Sequence, residues 1–441
     1  MPRADGEFLR GMRFRGGDVA QAVNRIHPYP GMMAPSIVDA ALDEYGAGVT
    51  SVLDPFCGTG RALVAARFRG LSTFGIDINP LAIMIARLRL NPPAASRIAE
   101  TGDDVIRAAS AASTRGVAAR FFSIPFDWRF WFPRPTITHL LQLLTAIETH
   151  TSPRSGTRRA MLVAFSETVR RCSYTRASEH KLYRIPAAER SRWRPNPLRV
   201  FTNLVESTAD RLARFEATDR APWRTGRSVL RCGDVRQVCT SKELHGFGCD
   251  AVITSPPYGD ARTTVAYGEF SRLPLLWLRA MERPPVDIDH AKILSLDRRS
   301  LGGRASQRDT VQGDAACNTV DRIMARNPKR ARDVAAYLYD LRRALHDVVS
   351  ILRDRALIVI VLGRRVVAGL RVPLDEIVTE WFGTWSIDTL TTIAREIPYK
   401  RLPRRVSRTG EEGSQLALTI LEERVVVARV RRRGVERTSV A

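Results

Sequence analysis

Apolar positions along this chain follow two rhythms, and their order predicts a layered α/β protein. Asp250-Ala251-Val252-Ile253-Thr254 and Ala356 to Gly363 are short, nearly unbroken apolar runs, the pattern of strands buried on both faces. Thr136 to Glu148, Ala160 to Arg171, Val334 to Leu352 and Leu374 to Trp381 instead repeat apolar residues at helical spacing. Trp385 to Glu396 and Leu416 to Val427 alternate enough to form a closing antiparallel pair. With the shorter runs near Val52, Phe74 and Val229, the count suits a seven-strand mixed sheet with helices on both faces.

The spacing of these runs divides the chain. Residues 1 to 80 hold an N-terminal segment and the first half of the core; the first 20, rich in Gly and Arg, read as loosely ordered. Between the second strand and Gly233-Asp234 lie roughly 150 residues, far more than one crossover needs, so 81 to 225 reads as an inserted, mainly helical subdomain. Within it, Phe126-Asp127-Trp128-Arg129-Phe130-Trp131-Phe132-Pro133 reads as core packing more than as a base-stacking platform. Residues 226 to 283 return to the core. Residues 284 to 333, with Arg298-Arg299-Ser300-Leu301-Gly302-Gly303-Arg304 and Asn327-Pro328-Lys329-Arg330, form a basic variable segment, and 334 to 441 complete the core with a basic tail.

Two turns carry the chemistry. Ser255-Pro256-Pro257-Tyr258 follows an apolar strand, and consecutive prolines lack N–H donors and fix φ, so the turn is rigid. A serine oxygen and a proline carbonyl can accept the two N–H bonds of a flat amine, while a tyrosine ring can lie against a heterocycle. Far upstream, Val52-Leu53-Asp54-Pro55-Phe56-Cys57-Gly58-Thr59-Gly60-Arg61 reads as strand, glycine turn and a helix beginning near Arg61. A second strand then ends in Asp77. The order strand, glycine turn, helix, strand, acid is that of a nucleoside-binding unit whose acid holds ribose hydroxyls. The GxGxxG spacing of dinucleotide sites is absent, and Asp54 at a strand end suits a ligand bearing an amine.

On these residues the chain resembles the amino-methyltransferases of DNA, which methylate the exocyclic amine of cytosine or adenine with S-adenosylmethionine. Asp54 to Gly60 (DPFCGTG) is similar to the family's cofactor loop, and Ser255 to Tyr258 (SPPY) to its catalytic turn. His27-Pro28-Tyr29-Pro30 resembles the segment beside the cofactor's methionine, Gly233-Asp234 the turn whose acid meets the adenine amine, and Thr263 to Arg272 the helical segment after the catalytic turn. The resemblance implies a Rossmann-like class I methyltransferase fold and S-adenosyl-L-methionine as cofactor. It implies cofactor contacts from Tyr29, Asp54, Phe56, Gly58, Gly60, Asp77 and Asp234, with Ser255, Pro256, Pro257 and Tyr258 as the catalytic turn. Its further implications are a flipped base in double-stranded DNA and a cognate restriction or defence-system component as partner.

Serine at the first position of the turn is seen in this family mostly with cytosine N4, whereas Asp or Asn is commoner with adenine N6. The cofactor loop precedes the catalytic turn here, the reverse of many SPPY enzymes, so both bases stay open. Transfer RNA guanine-N2 methyltransferases share a similar loop and turn, but usually carry an RNA-binding domain ahead of the loop, where this chain has about 50 residues. A catalytically inactive nucleic-acid-binding regulator is the third reading; intact Asp54, Gly58, Gly60, Asp77 and Ser255 argue against it.

Charge supports a polyanionic partner. The net charge is +23 with a pI near 10.8. Only five of the basic residues are lysine, a bias that codon composition explains, but that bias does not create the excess over 46 acids. Arg176 to Arg184 and Arg190 to Arg199 are the better candidates for phosphate contact; the Arg429 to Arg433 tail reads as a solvated end. The six cysteines form no CxxC pair and no His cluster at metal-ligand spacing, so neither a metal nor a disulfide framework is implied. Without an apolar run long enough to cross a bilayer or an N-terminal h-region, the expected location is cytoplasmic.

Overall fold

A computed structural model describes residues 22–112, 126–176, 179–218, 221–260, 264–285, 289–303, 311–396, 405–406, 417–418 and 422–431. The first 20 residues, Ala177, Ser178, Thr263, Arg304 and Arg432-Arg433 lie outside the described residues.

The centre is a seven-stranded sheet. Its strands are β1 (Ser51–Asp54), β2 (Ser72–Asp77), β3 (Ser228–Cys232), β4 (Cys249–Thr254), β5 (Leu352–Gly363), β6 (Ile387–Glu396) and β7 (Glu422–Val430). They lie in the order β3-β2-β1-β4-β5-β7-β6. β3, β2, β1, β4 and β5 pair in parallel, and only β7 runs against its neighbours β5 and β6. Order reverses between β1 and β4, which places a crevice at the carboxyl ends of those strands.

Alternation along the strands builds the two layers. Val52, Leu357, Val359 and Val361 face α1 (Pro35–Tyr45) and α2 (Arg61–Phe68), whereas Leu53, Ile358, Ile360 and Leu362 face the opposite layer. That second layer comes from α9 (Asp314–Met324), α10 (Pro328–Ser350) and α11 (Leu374–Thr384). A third cluster is helical. Between β2 and β3 run α3 (Pro80–Leu90), α4 (Ala95–Ala111), α5 (Arg134–His150), α6 (Gly156–Cys172) and α7 (Pro197–Glu216). They close over α8 (Tyr267–Arg279), whose Trp277 is fully buried among Trp128, Phe132 and Phe165. The aromatic cluster is thus core for Trp128 and Phe132, while Phe130 is exposed beneath the Arg184 guanidinium, 3.7 Å from its ring centre.

Two boundaries and the character of one segment differ from the sequence reading. α10 begins at Pro328, inside the segment read as variable, because Asn327 caps it by accepting from the Arg330 amide and Pro328 occupies the first turn, where no N–H is needed. The rest of that segment is anchored by buried Ile293, Leu296, Leu301, Ala316 and Ile323, so its described part is built into the fold. The last strand starts at Glu422, later than its apolar alternation suggests, and residues 407–416 and 419–421 lie outside the described residues. Among the described residues no helix is long and apolar enough to cross a membrane.

Candidate active site

The β1–α2 loop sits at the crevice and is tied to the end of β2. Gly58 and Gly60 have φ of +51° and +78°, a region that glycine reaches without a Cβ penalty. The Gly58 amide donates to Asp77 Oδ2 at 2.9 Å, and the Asn79 amide donates to Asp77 Oδ1 at 2.7 Å. The two glycines then part ways. A Cβ on Gly58 would meet nothing within 4 Å, so its backbone is open to the crevice. A Cβ on Gly60 would come within 3.1 Å of the Ala86 Cβ, so Gly60 lets α2 and α3 pack closely.

A buried carboxylate, Asp54, and a half-buried one, Asp77, face this opening. Asp54 Oδ1 accepts from the Phe56 amide at 3.1 Å and from Thr254 Oγ1 at 2.6 Å. Burial pushes its pKa up to about 7, and the nearby Asp77 charge adds to the rise, against those two hydrogen bonds. Burial likewise lifts Asp77 to about 6, opposed by its two backbone amide bonds. Among the described residues neither acid has a cation within ion-pair distance.

Aromatic rings line the flank. Tyr29 stacks on Tyr267 with centroids 5.8 Å apart. Asn79 holds that pair: its Nδ2 donates to Tyr29 Oη at 2.9 Å, to the Tyr267 carbonyl at 3.2 Å and to Ser271 Oγ at 2.7 Å. Asp297 accepts from the Gly268 and Glu269 amides at the start of α8, which docks the Leu296 to Leu301 stretch as another wall. Asp234 stands opposite, with its carboxylate engaged by Arg236 Nε and Nη2, and Arg236 in turn bridges to Asp340.

At the end of β4 the Ser255 turn closes the cavity. Ser255 Oγ donates to Tyr258 Oη at 3.1 Å, and Tyr258 Oη donates to Glu423 Oε1 at 2.9 Å. The Pro257 carbonyl accepts from Tyr337 Oη at 2.6 Å. The Tyr258 ring lies on Gly363, where a Cβ would come within 2.4 Å of Tyr258 Cδ2.

One cavity is lined by Tyr29, Asp54, Phe56, Gly58, Asp77 and Asp234 together with Ser255 and Pro257. Gly60, Pro256 and Tyr258 do not line it. Gly60 packs behind the loop, Pro256 is buried in the turn, and Tyr258 turns toward β5 and β7. Asn79, Arg61, Tyr267 and Arg299 line the cavity too, and none was singled out from the sequence as a site residue. For Asn79 a local signal existed: an Asn-Pro pair directly after the strand-ending acid marks a capped helix start, at the mouth of the crevice.

Sheet order and site geometry define the class: an α/β, Rossmann-like methyltransferase fold, with its crevice between a glycine loop and a proline turn. The relatives sharpen this. The chain is similar to the Type II methyltransferase M.MvaI of Kocuria varians, 27% identical over 430 residues covering 94% of this chain and 92% of that protein. A shorter match, 37% identical over 68 residues, covers 15% of this chain and 13% of the Type II methyltransferase M.MjaII of Methanocaldococcus jannaschii. Among solved structures, the rRNA methyltransferase AviRa of Streptomyces viridochromogenes aligns over 96% of both chains with 13% identity and a TM-score of 0.34. No family model matches the chain.

Proposed function

We propose that this protein is a site-specific DNA methyltransferase that transfers a methyl group from S-adenosylmethionine to an exocyclic base amine, cytosine N4 in first place and adenine N6 as the alternative. The observation that carries this reading is the shared cavity: the acids at the ends of β1 and β2 and the serine of the proline turn open into one space. Similarity to a Type II methyltransferase along nearly the whole chain supports it.

The residues present fit the cofactor. Gly58 offers an open backbone cradle, and two desolvated carboxylates are suited to a ligand that brings an ammonium group and hydroxyls. In this reading Asp77 holds ribose hydroxyls, Asp54 with Tyr29 holds the methionine end, Phe56 lies against the bound nucleoside, and Asp234 meets the adenine amine. When bound, S-adenosylmethionine supplies an electrophilic methyl group on a cationic sulfur, and this chemistry needs no metal.

What the protein must supply is a correctly aimed amine. The base amine is a weak nucleophile because its lone pair is delocalised into the ring. Ser255 Oγ and a proline carbonyl accept its two N–H bonds and draw it toward sp³ geometry. The second acceptor is a carbonyl of the Pro256-Pro257 turn; Pro257 lines the cavity, and its carbonyl, which accepts one bond from Tyr337, keeps a second lone pair. The Tyr258 ring packs on Gly363 and does not line the cavity, so Tyr258 acts on the base through its hydroxyl's hydrogen bond with Ser255 rather than by stacking. An amine paired inside a duplex cannot reach this turn, so the base must be flipped out. The helical insert, 81 to 225, and the basic segment, 284 to 333, are assigned to DNA contact; the mark would protect the same site from a cognate restriction or defence nuclease.

Transfer of radiolabelled methyl groups to duplex DNA, transfer RNA and a blank tests this. Label in duplex DNA alone is the expected result. Label confined to transfer RNA would replace the reading with an RNA methyltransferase, and no transfer with retained nucleic-acid binding would favour a regulator.

A further inference from the structure

Behind Ser255 stands a hydrogen-bonded chain with a fixed direction. Gly363 of β5, Glu423 of β7 and Arg395 of β6 share one rung of the sheet. Because Gly363 has no side chain, the Tyr258 ring can lie flat on that rung and its hydroxyl reaches Glu423. Arg395 Nη1 takes the other carboxylate oxygen at 2.5 Å, which fixes the group's orientation. The carboxylate is largely buried, with its side chain 14% exposed.

A carboxylate can only accept. The Tyr258 proton is therefore committed to Glu423, and the Tyr258 oxygen is left to accept from Ser255. Burial first, and the Glu423 charge next, hold the Tyr258 pKa well above its usual 10, so the phenol stays a neutral donor. Ser255, its own proton spent on Tyr258, can offer only lone pairs to the cavity.

We propose that Glu423 is a positioning residue for methyl transfer, acting through Tyr258 to hold Ser255 as an obligate, negatively polarised acceptor of the base amine and to receive the amine's surplus proton. This rests on the function proposed above. It explains how an uncharged serine does work that a carboxylate at the same position could do directly. Once the nitrogen has formed its bond to carbon it carries one proton too many. That proton moves to Ser255 Oγ as the Ser255 proton moves to Tyr258 Oη and the Tyr258 proton moves to Glu423 Oε1. The nitrogen keeps its electron pair, serine and tyrosine end neutral, and Glu423 ends as a carboxylic acid that solvent later deprotonates. A protonated amine on a heteroaromatic ring is a strong acid, so a carboxylate paired with Arg395 is a sufficient acceptor.

Glu423→Gln tests the direction of the chain. The amide can donate to Tyr258, which then donates to Ser255, which must present its proton to the cavity. Single-turnover transfer to a duplex bearing the mapped site should fall about 10- to 100-fold, with S-adenosylhomocysteine affinity unchanged. Binding without turnover gives a second readout. Wild-type protein should prefer a duplex with cytosine at the target over one with uracil, whose carbonyl replaces the amine, and Glu423→Gln should abolish or reverse that preference by about tenfold. Adding Glu423→Gln to Tyr258→Phe should change neither readout further. Absorbance titration follows the chain without substrate: one tyrosine should ionise at lower pH in Glu423→Gln than in wild type, and that change should vanish with Tyr258→Phe. Parent rate and parent base preference in Glu423→Gln would overturn the proposal, as would undiminished effects of Glu423→Gln when Tyr258 is already Phe. A wild-type protein that methylates no DNA would instead refute the function, whatever the titration shows.

Discussion

Asp54 and Asp77 make cofactor affinity a function of pH, and the size of the effect follows from their burial. Both acids have folded-state pKa values above the ordinary 3.8, about 7 for Asp54 and about 6 for Asp77. Raised values in acids mean that the empty fold holds protons that the unfolded chain has released. Its stability therefore falls as pH rises from 3.8 through those values, by about 4 kcal/mol for Asp54 and about 3 kcal/mol for Asp77 as orders of magnitude. A ligand that offers an ammonium group to one and hydroxyls to the other favours the ionised forms. Binding must then release protons and tighten with pH. About one Asp54 in a hundred is ionised at pH 5 and about half at pH 7, so affinity should rise about fifty-fold over that interval through Asp54 alone. Calorimetry with S-adenosylhomocysteine, in buffers of different ionisation enthalpy, measures both the affinity and the protons released. Asp54→Asn should bind weakly and remove most of the pH slope. An affinity that stays constant from pH 5 to pH 8 with no proton release would refute the assignment of these acids to the cofactor.

The two loop glycines should separate binding from stability. Gly60→Ala forces a left-handed residue against Ala86 and should lower the urea-unfolding free energy by about 1–3 kcal/mol, whereas Gly58→Ala, strained at φ +51° but clear of protein atoms, should lose about 1 kcal/mol and most of its cofactor affinity. Similar cofactor affinity in the two folded variants would argue against the cradle. Duplex binding should weaken steeply with salt, and each arginine removed from a phosphate contact should lower the log–log slope by about 0.9. Filter binding at several salt concentrations measures it; a flat dependence would contradict the polyanion reading.

What was legible in the sequence is what local chemistry dictates. The β1–α2 loop announces itself through Gly58 and Gly60, residues needed wherever the chain enters left-handed φ, and β5 through an apolar run that only a two-sided interior accepts. The proline turn is equally local. Contacts between distant segments were not legible. Asn79 meets Tyr29, Tyr267 and Ser271 only because α8 folds back over α3, and Glu423 reaches Tyr258 across 165 residues through the register of β7 on β5. Arginine density hid the remainder: Leu296 and Leu301, which help wall the cavity, and the Asn327-Pro328 cap sit in a stretch whose charge reads as solvated loop.

The most direct test of the account is the identity of the methylated nucleoside. DNA treated with wild-type protein and labelled S-adenosylmethionine, then digested to nucleosides and resolved by mass, should yield an amino-methylated base, N4-methyldeoxycytidine in first place, with N6-methyldeoxyadenosine as the alternative. Ser255→Ala removes an acceptor that matters most as the amine's N–H bonds become acidic, so it should lower the single-turnover rate by about a hundredfold or more with cofactor affinity little changed. A label on ring carbon or in RNA, or a Ser255→Ala protein that works at the parent rate, would contradict amine methylation at the Ser255 turn.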